Sequence, residues 1–310
     1  MIRKPIDVLT NHEIRKTKKQ KTAFIQAMEE YAKELHYDLR IEKGSFGTRN
    51  IVIGNPETAD YLVTAHYDTP ASIGLPNFIT PCNPWAFILC QFMLLIPFFA
   101  VVLFSEWLIS RVTNNAIITM YAGYLTLLGI LFLLMFGPAN RHTANDNTSG
   151  VVTALQTMAT LPENMKERVC FVLFDLEEAG LIGSSSYRKA HKKETDRQTV
   201  LNLDCVGDGD SIVLFPMKQM KKDTQRMERL RRIMGTYDGK NISVHESGFA
   251  YYPSDQRHFP YGVGIAAFRR AKGIGLYCSR IHTWRDTILE ETNVNILSAA
   301  LISLISAGDE

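Results

Sequence analysis

The chain has 310 residues and a nearly balanced charge, with 34 Lys and Arg against 32 Asp and Glu. A dedicated nucleic-acid surface needs a clustered excess of Lys and Arg, so this composition argues against a nucleic-acid partner. The five cysteines are widely spaced and contain no Cys-x-x-Cys pair, which argues against a disulfide framework and against a cysteine-ligated zinc site.

The N-terminal region predicts a helix followed by short strands. Its basic residues have no apolar stretch behind them, so we do not expect a secretory signal peptide. Apolar residues recur at three- and four-residue steps within residues 10–36, which predicts an amphipathic helix. Residues 37–41 and 51–53 are typical of short strands, and residues 61–65 are typical of a stronger one.

Two long uncharged segments come next. Residues 85–104 contain one polar side chain, Gln91, and residues 116–136 contain only Thr and Tyr as polar types. An α-helix needs about 20 apolar residues to cross a hydrocarbon core of about 30 Å. We therefore predict a transmembrane helical hairpin over residues 84–137, in contact with a lipid bilayer. A pair of buried core helices is the alternative.

Helix and strand patterns alternate after this hairpin. Helices are predicted over residues 151–161, 184–192, 219–235 and 294–307, and strands over residues 168–176, 199–206, 211–217, 242–245 and 262–268. Such alternation indicates an α/β fold with three αβα layers around a mostly parallel, mixed sheet. The predicted domain is discontinuous, because residues 1–83 and 138–310 must fold together around the hairpin.

Carboxylates and histidines collect mainly at the ends of predicted strands. These residues are His66, Asp68, Asp146, Glu177, Glu178, Asp204 and His282. Strand ends form the ligand crevice of an open α/β sheet. Oxygen and nitrogen donors without thiolates suit a catalytic zinc site. Each residue by itself is ordinary, such as a helix cap or a loop acid, but the set predicts a metal centre.

Six short motifs resemble the co-catalytic dizinc exopeptidases of metallopeptidase family 28. The motifs are AHYDTP at 65–70, NDNTSGV at 145–151, LEEAGLIGS at 176–184, NLDCVG at 202–207, SDQRHF at 254–259 and IHTWRDT at 281–287. Their order and approximate spacing agree once the hairpin is treated as an insertion. Many relatives have His at the position of Gln256 and Pro at the position of Trp284, so the departures fall on the substrate pocket.

The resemblance implies two Zn²⁺ ions per chain. His66 and Asp204 would bind one ion, and Glu178 and His282 would bind the other. Asp146 would bridge the two ions. A glutaminyl cyclase, also found in this family, is disfavoured because the full set of dizinc ligands is present.

The same resemblance implies the catalytic groups and the activity. Glu177 would be the general base, and Asp68 would orient the ligating imidazole of His66. Together with the predicted hairpin, the resemblance implies a membrane-anchored, zinc-dependent exopeptidase, most simply an aminopeptidase that removes N-terminal residues from short peptides. The alternatives are a carboxypeptidase or another amide hydrolase on the same scaffold and, in a different class, a non-catalytic, membrane-tethered binding module.

The position of the hairpin predicts where the protein resides. Residues 1–83 precede the first span without an export signal, and two spans return the chain to its starting side. We therefore expect an integral membrane protein with its catalytic domain in the cytosol. The nearby basic residues, Arg111 in the connection and Arg141 outside the hairpin, leave the positive-inside rule undecided.

Overall fold

The computed structural model of the chain describes residues 4–75 and 77–307. Among these residues, ten strands form one mixed sheet. The predicted domain ranges 1–83 and 138–310 also include residues 1–3, 76 and 308–310, which lie outside the described residues.

The elements follow each other along the chain in the alternating pattern that the sequence predicts. The strands are Leu39–Lys43 (β1), Arg49–Ile53 (β2), Tyr61–His66 (β3), Val169–Phe174 (β4), Thr199–Leu203 (β5), Ser211–Pro216 (β6), Gly235–Tyr237 (β7), Lys240–Val244 (β8), Gly262–Ala271 (β9) and Gly275–Tyr277 (β10). The α-helices are Pro5–Thr10 (α1), Lys18–Glu34 (α2), Pro84–Thr113 (α3), Ala116–Phe136 (α4), Gly150–Thr160 (α5), Ile182–Ala190 (α6), Lys192–Thr195 (α7), Lys218–Lys222 (α8), Thr224–Arg232 (α9) and Glu291–Ser306 (α10).

The sheet has the order β1-β2-β4-β3-β5-β9-β6-β8-β7, and β10 pairs with β9. Its central strands β4, β3, β5 and β9 are parallel to one another, while antiparallel strands extend both sides. Apolar residues cover both faces: Phe171 and Leu173 of β4 pack in one cluster, and Val172 and Phe174 pack in another with Tyr187 of α6. The predicted three-layer αβα fold with a mostly parallel, mixed sheet is confirmed.

The central parallel strands determine where the polar motifs meet. Every residue of β3, β4 and β5 is buried, as expected for strands that are covered on both faces. The carboxyl ends of parallel strands lie at the same edge of a sheet, and these three strands end at His66, Phe174 and Leu203. The turns that begin there therefore start next to each other, although they are far apart in sequence.

The N-terminal segment forms two helices instead of the single helix predicted over residues 10–36. Helix α1 ends at Thr10, and α2 begins only at Lys18, where Thr17 and Gln20 form a capping box. Between them the buried Arg15 donates from Nε to the carbonyl oxygen of Tyr67 at 2.5 Å, and burial lowers the pKa of its guanidinium to about 10. This long-range bond holds the intervening segment out of a helix.

The helix predicted over residues 219–235 is also divided. Its two parts are α8 and α9, because the Asp223 side chain accepts the backbone N–H of Arg226 at 3.0 Å and so caps a new helix. Gly235 then begins β7 in place of a last helical turn.

Helices α3 and α4 form an antiparallel hairpin joined by Asn114 and Asn115. Helix α3 is longer than the predicted span 85–104 and continues through Glu106 to Thr113. The Oγ1 atom of Thr126 in α4 donates to the Oγ atom of Ser105 at 3.0 Å, so the extension of α3 packs along its neighbour. By length and composition, both helices are suited to crossing a membrane. They are not core helices, since 0% and 6% of their most apolar windows are buried.

The two ends of the hairpin are paired at its base. Ala71 and Ala139 form an antiparallel bridge, and the backbone N–H of Ser72 donates to the carbonyl oxygen of Pro138 at 2.9 Å. The backbone N–H of Asn140 donates to the carbonyl oxygen of Pro70 at 2.9 Å. The chain thus leaves the sheet after β3 and returns to the same place before α5.

Candidate active site

One cavity of about 400 Å³ brings together six of the seven residues singled out in the sequence. Its lining includes His66, Asp146, Glu177, Glu178, Asp204 and His282. The seventh residue, Asp68, lies behind the cavity wall and contacts His66. Residues that are separated by as many as 216 positions in sequence, from His66 to His282, therefore face one space.

The Asp146 carboxylate lies between the two histidines. Its Oδ1 atom is 3.1 Å from Nε2 of His66, and its Oδ2 atom is 3.0 Å from Nε2 of His282. Nε2 of His66 is also 3.7 Å from Asp204 Oδ1, and Nε2 of His282 is 3.5 Å from Glu178 Oε2. Two triads of donor atoms thus share Asp146, and the atoms within each triad lie within 4.8 Å of one another.

Asp286 holds the segment that carries Asp146. Its Oδ1 and Oδ2 atoms accept the backbone N–H groups of Asn145 and Asp146 at 2.7 and 3.0 Å. Burial, followed by the charge of Asp146, raises the pKa of Asp286 to about 7. No role was predicted for Asp286 from the sequence, although it belongs to the same motif as His282, and that shared motif was the available signal.

Asp68 positions the turn of the two glutamates. Its Oδ1 and Oδ2 atoms accept the backbone N–H groups of Glu177 and Glu178 at 3.0 and 3.3 Å. Its Oδ1 atom is 3.5 Å from Nδ1 of His66, which is longer than an ordinary N–H···O hydrogen bond. The clearest contacts of Asp68 are therefore with the glutamate turn, in addition to its proximity to the imidazole.

The backbone adopts left-handed conformations beside the cavity. Leu176, Cys205 and His282 have φ angles of 54°, 57° and 60°, a region that non-glycine residues occupy infrequently. Leu176 precedes Glu177, and Cys205 follows Asp204. Such conformations cluster at functional sites, where surrounding contacts maintain them.

The electrostatics of the cavity favour bound cations. Burial raises the pKa values of Glu177 and Glu178 well above the usual range, and neighbouring carboxylates contribute to both shifts. Four carboxylates and only two imidazoles line the cavity, and buried negative charge is costly unless cations compensate it. Burial also raises the pKa of the Cys205 thiol well above its usual range, so this cysteine stays neutral. The remaining oxygen and imidazole donors fit zinc.

The cavity lining also includes residues that were not predicted from the sequence to lie there. Phe87 and Gln91 of α3 and Tyr251 and Tyr252 of the loop before β9 line the cavity. The sequence showed Gln91 as the single polar side chain of an apolar span but gave no sign that this turn of the helix faces the domain.

The two positions that depart from the family pattern have different surroundings. Gln256 is buried, and its Nε2 atom donates to the carbonyl oxygen of Tyr252 at 2.7 Å while its Oε1 atom accepts from Asn202 at 3.1 Å. It therefore supports a loop of the cavity from behind. Trp284 is 72% exposed and does not line the cavity.

Comparison with known proteins finds a matching family. The sequence profile of peptidase family M28 matches residues 130–302, which is more than half of the chain. No protein among the curated sequences compared with this chain matches it.

Solved structures with a similar fold include three bacterial enzymes. LapA aminopeptidase of Legionella pneumophila is 14% identical, with a TM-score of 0.58 over 98% of this chain and 68% of that chain. Glutaminyl cyclase of Porphyromonas gingivalis is 14% identical, with a TM-score of 0.63 over 98% of this chain and 96% of that chain. A Zn-dependent exopeptidase from Parabacteroides distasonis is 12% identical, with a TM-score of 0.58 over 97% and 95% of the two chains.

We expect each histidine and carboxylate of the two triads to be needed for metal binding. His66→Ala, Asp204→Ala and His282→Ala should each lower the zinc content of purified full-length protein, because each removes a donor from a shared site. His12→Ala, which removes an imidazole outside the cavity, is the matched control. Elemental analysis gives the zinc content per chain, and full zinc content in all three variants would contradict the assignment.

Proposed function

Because the chain belongs to peptidase family M28 and is therefore a zinc metallopeptidase, we propose that it acts as a membrane-anchored dizinc aminopeptidase. The observation that carries the proposal is the position of Asp146, whose two oxygens face two different histidines at 3.1 and 3.0 Å. A carboxylate in this position can serve two metal ions at once.

We assign the ligands of the two ions from the two triads. His66 and Asp204 would bind one Zn²⁺, Glu178 and His282 would bind the other, and Asp146 would be shared. When bound, the ions would supply Lewis acidity to the scissile carbonyl and to the attacking water.

Glu177 is the proposed general base. It lines the cavity and belongs to neither of the two triads that share Asp146, although its carboxylate also lies within 4.8 Å of donor atoms of His66 and Glu178. Burial raises its pKa above that of an exposed glutamate, and perturbed pKa values are common among catalytic acids and bases. Glu177 takes the proton of the attacking water and passes it to the leaving amine. Asp68 keeps this side chain in place by accepting the backbone N–H of Glu177.

The charge of the cavity favours an aminopeptidase over a carboxypeptidase. In the part of the chain that the structure describes, neither Lys nor Arg lines the cavity. A carboxypeptidase has to bind the terminal carboxylate of its substrate, for which an Arg is the usual partner. The carboxylates that line the cavity can instead attract the α-ammonium group of a peptide. The complete set of potential ligands and base argues against a non-catalytic binding module.

Hydrolysis of paired substrates tests this assignment. We expect purified protein with close to two zinc ions per chain to hydrolyse aminoacyl amides and to leave their N-acetylated counterparts intact, because acetylation removes the ammonium group. A metal chelator should abolish the activity, and added zinc should restore it. Preferential cleavage of N-blocked peptides from the carboxyl end would contradict the aminopeptidase assignment, and full activity without metal would contradict the metal assignment.

The role of the base is tested by Glu177→Gln. This variant should retain its zinc, since the proposed ligands remain, but should lose about 10²–10⁴-fold in kcat, the range typical of a missing general base. Glu178→Gln is the matched control at the neighbouring position and should lose zinc as well as activity. Near-normal turnover of Glu177→Gln would assign the base to another residue.

The hairpin is the proposed membrane anchor, and the catalytic domain is proposed to face the cytosol. Basic residues surround the base of the hairpin: Lys16 donates from Nζ to the carbonyl oxygen of Met135 at 3.0 Å, and Arg270 and Lys272 lie in a groove with Pro84. Arg111 is the only Lys or Arg between residues 84 and 137. Basic residues prefer the cytoplasmic side, where anionic lipids attract them. The five cysteines are free thiols, which agrees with a reducing compartment.

Labelling of sealed vesicles tests this orientation. With the catalytic domain in the cytosol, a charged thiol reagent should label a cysteine that replaces the exposed Lys218 only when the cytosolic face is accessible. A cysteine in place of the exposed Asn115, at the tip of the hairpin, should show the opposite pattern. The measurement is made in a background without the native thiols. Labelling of the Lys218→Cys protein from the lumenal or outer face would contradict the proposed orientation without affecting the proposed chemistry.

A further inference from the structure

The first turns of α3 form part of the wall of the active-site cavity. Phe87 and Gln91 lie one helical turn apart and line the same cavity as Glu177 and His282. Both are half-buried, whereas their neighbours Ile88 and Phe92 are 46% and 64% exposed. This stretch of α3 therefore has one face toward the cavity and an apolar face directed away from the protein.

The two hairpin helices differ in length, which explains why the first turns of α3 are free to line the cavity instead of packing against α4. Helix α3 has 30 residues and α4 has 21, and 30 minus 21 leaves 9 residues of α3 without a counterpart. Because the helices are antiparallel with a short link, the surplus lies at the N-terminus of α3, over about 13 Å. Phe87 and Gln91 are the fourth and eighth residues of the helix, so both lie in this surplus.

Contacts with the catalytic domain hold this end of the helix. The side chain of Asn83 caps α3 by accepting the backbone N–H of Ala86 at 3.1 Å and donates to the carbonyl oxygen of Ile274 at 3.1 Å. Ile79 and Cys278 exchange two backbone hydrogen bonds of 2.8 and 2.9 Å. The wall is thus part of a fixed arrangement and is close to the loop of His282.

The side chains of the wall differ in chemistry. The Phe87 ring packs against that of Tyr251 with their centroids 5.2 Å apart, and Ile79 lines the same cavity. Together they provide an apolar surface. Gln91 is the only polar side chain in residues 85–104, and its carboxamide can both donate and accept hydrogen bonds. A polar side chain in a membrane helix commonly faces a cavity and serves function.

We propose that α3 supplies a substrate subsite in which Phe87, Ile79 and Tyr251 bind an apolar side chain of the peptide and Gln91 hydrogen-bonds its backbone. The proposal rests on the proposed function, since it places the peptide in the cavity of the peptidase site. A peptide N–H and C=O match the acceptor and donor of one carboxamide. The membrane anchor and the specificity of the enzyme then depend on the same helix.

Peptide binding to the full-length, zinc-loaded protein in detergent micelles tests the subsite. Binding is measured by calorimetry in a Glu177→Gln background, so that it does not depend on turnover, with leucyl-glycine and glycyl-glycine as probes. Phe87→Ala should weaken the binding of leucyl-glycine by about tenfold, the lower end of what one methylene group in an apolar pocket contributes to discrimination. It should leave the binding of glycyl-glycine unchanged, because that peptide has no apolar side chain that could occupy the subsite.

Phe92→Ala is the matched control, because it removes the same side chain from the exposed face of the same helix. It should leave the binding of both peptides unchanged. Phe87→Leu keeps an apolar group and should cause a smaller loss, and it replaces the alanine variant if that protein does not fold. Gln91→Leu should weaken the binding of both peptides by a similar factor, because both peptides have the backbone groups to which Gln91 is proposed to hydrogen-bond.

The outcomes separate this proposal from the proposed function. Unchanged binding in Phe87→Ala and Gln91→Leu, or equal losses in Phe87→Ala and Phe92→Ala, would overturn the subsite. Selective loss in Phe87→Ala would support it even if the protein with an intact Glu177 hydrolysed neither peptide, a result that would count against the aminopeptidase assignment. Zinc content is measured for every variant, so that a loss of metal is not mistaken for a loss of the subsite.

Discussion

The carboxylate of Asp146 faces one histidine with each of its oxygens, and the rest of the site is arranged around this contact. The distances of 3.1 and 3.0 Å to His66 and His282 join the end of β3 to a loop near the C-terminus. Asp286 fixes the backbone of Asp146 through two N–H groups. Burying so many carboxylates together is unfavourable without cations, so metal binding and the stability of this arrangement should be coupled.

The polar residues have to meet at one place, and the parallel strands of the sheet bring them there. Parallel strands β3, β4 and β5 deliver their following turns to one edge, where His66, the two glutamates and Asp204 meet. Asp68 links two of these turns, because it lies beside His66 and accepts the backbone N–H groups of both glutamates. The strongly buried central strands thus act as a rigid support, while the polar groups sit on the turns after them.

The hairpin is an insertion into this support and not a separate attachment. It leaves the domain after His66 and returns before Asp146, and the pairing of Ala71 with Ala139 closes its base. The cavity is acidic, whereas Lys16, Arg270 and Lys272 gather where the hairpin joins the domain. In the proposed membrane-anchored state, this separation of charge would let basic groups approach lipid head groups while carboxylates remain around the proposed metal site.

The sequence by itself determined the class of fold, the hairpin and the residues that meet in the cavity. These follow from local patterns: alternating helix and strand periods, uncharged runs of membrane length, and polar motifs at strand ends. The tertiary structure decided what depends on distant partners. Arg15 prevents one long N-terminal helix by bonding to Tyr67, and Asp286 reaches back to Asp146. Gln91 faces the cavity because the surplus turns of α3 dock on the domain. The periodicity of a sequence shows which face of a helix is polar. It does not show which surface of the domain the end of that helix will pack against, because that surface is formed by residues distant in sequence.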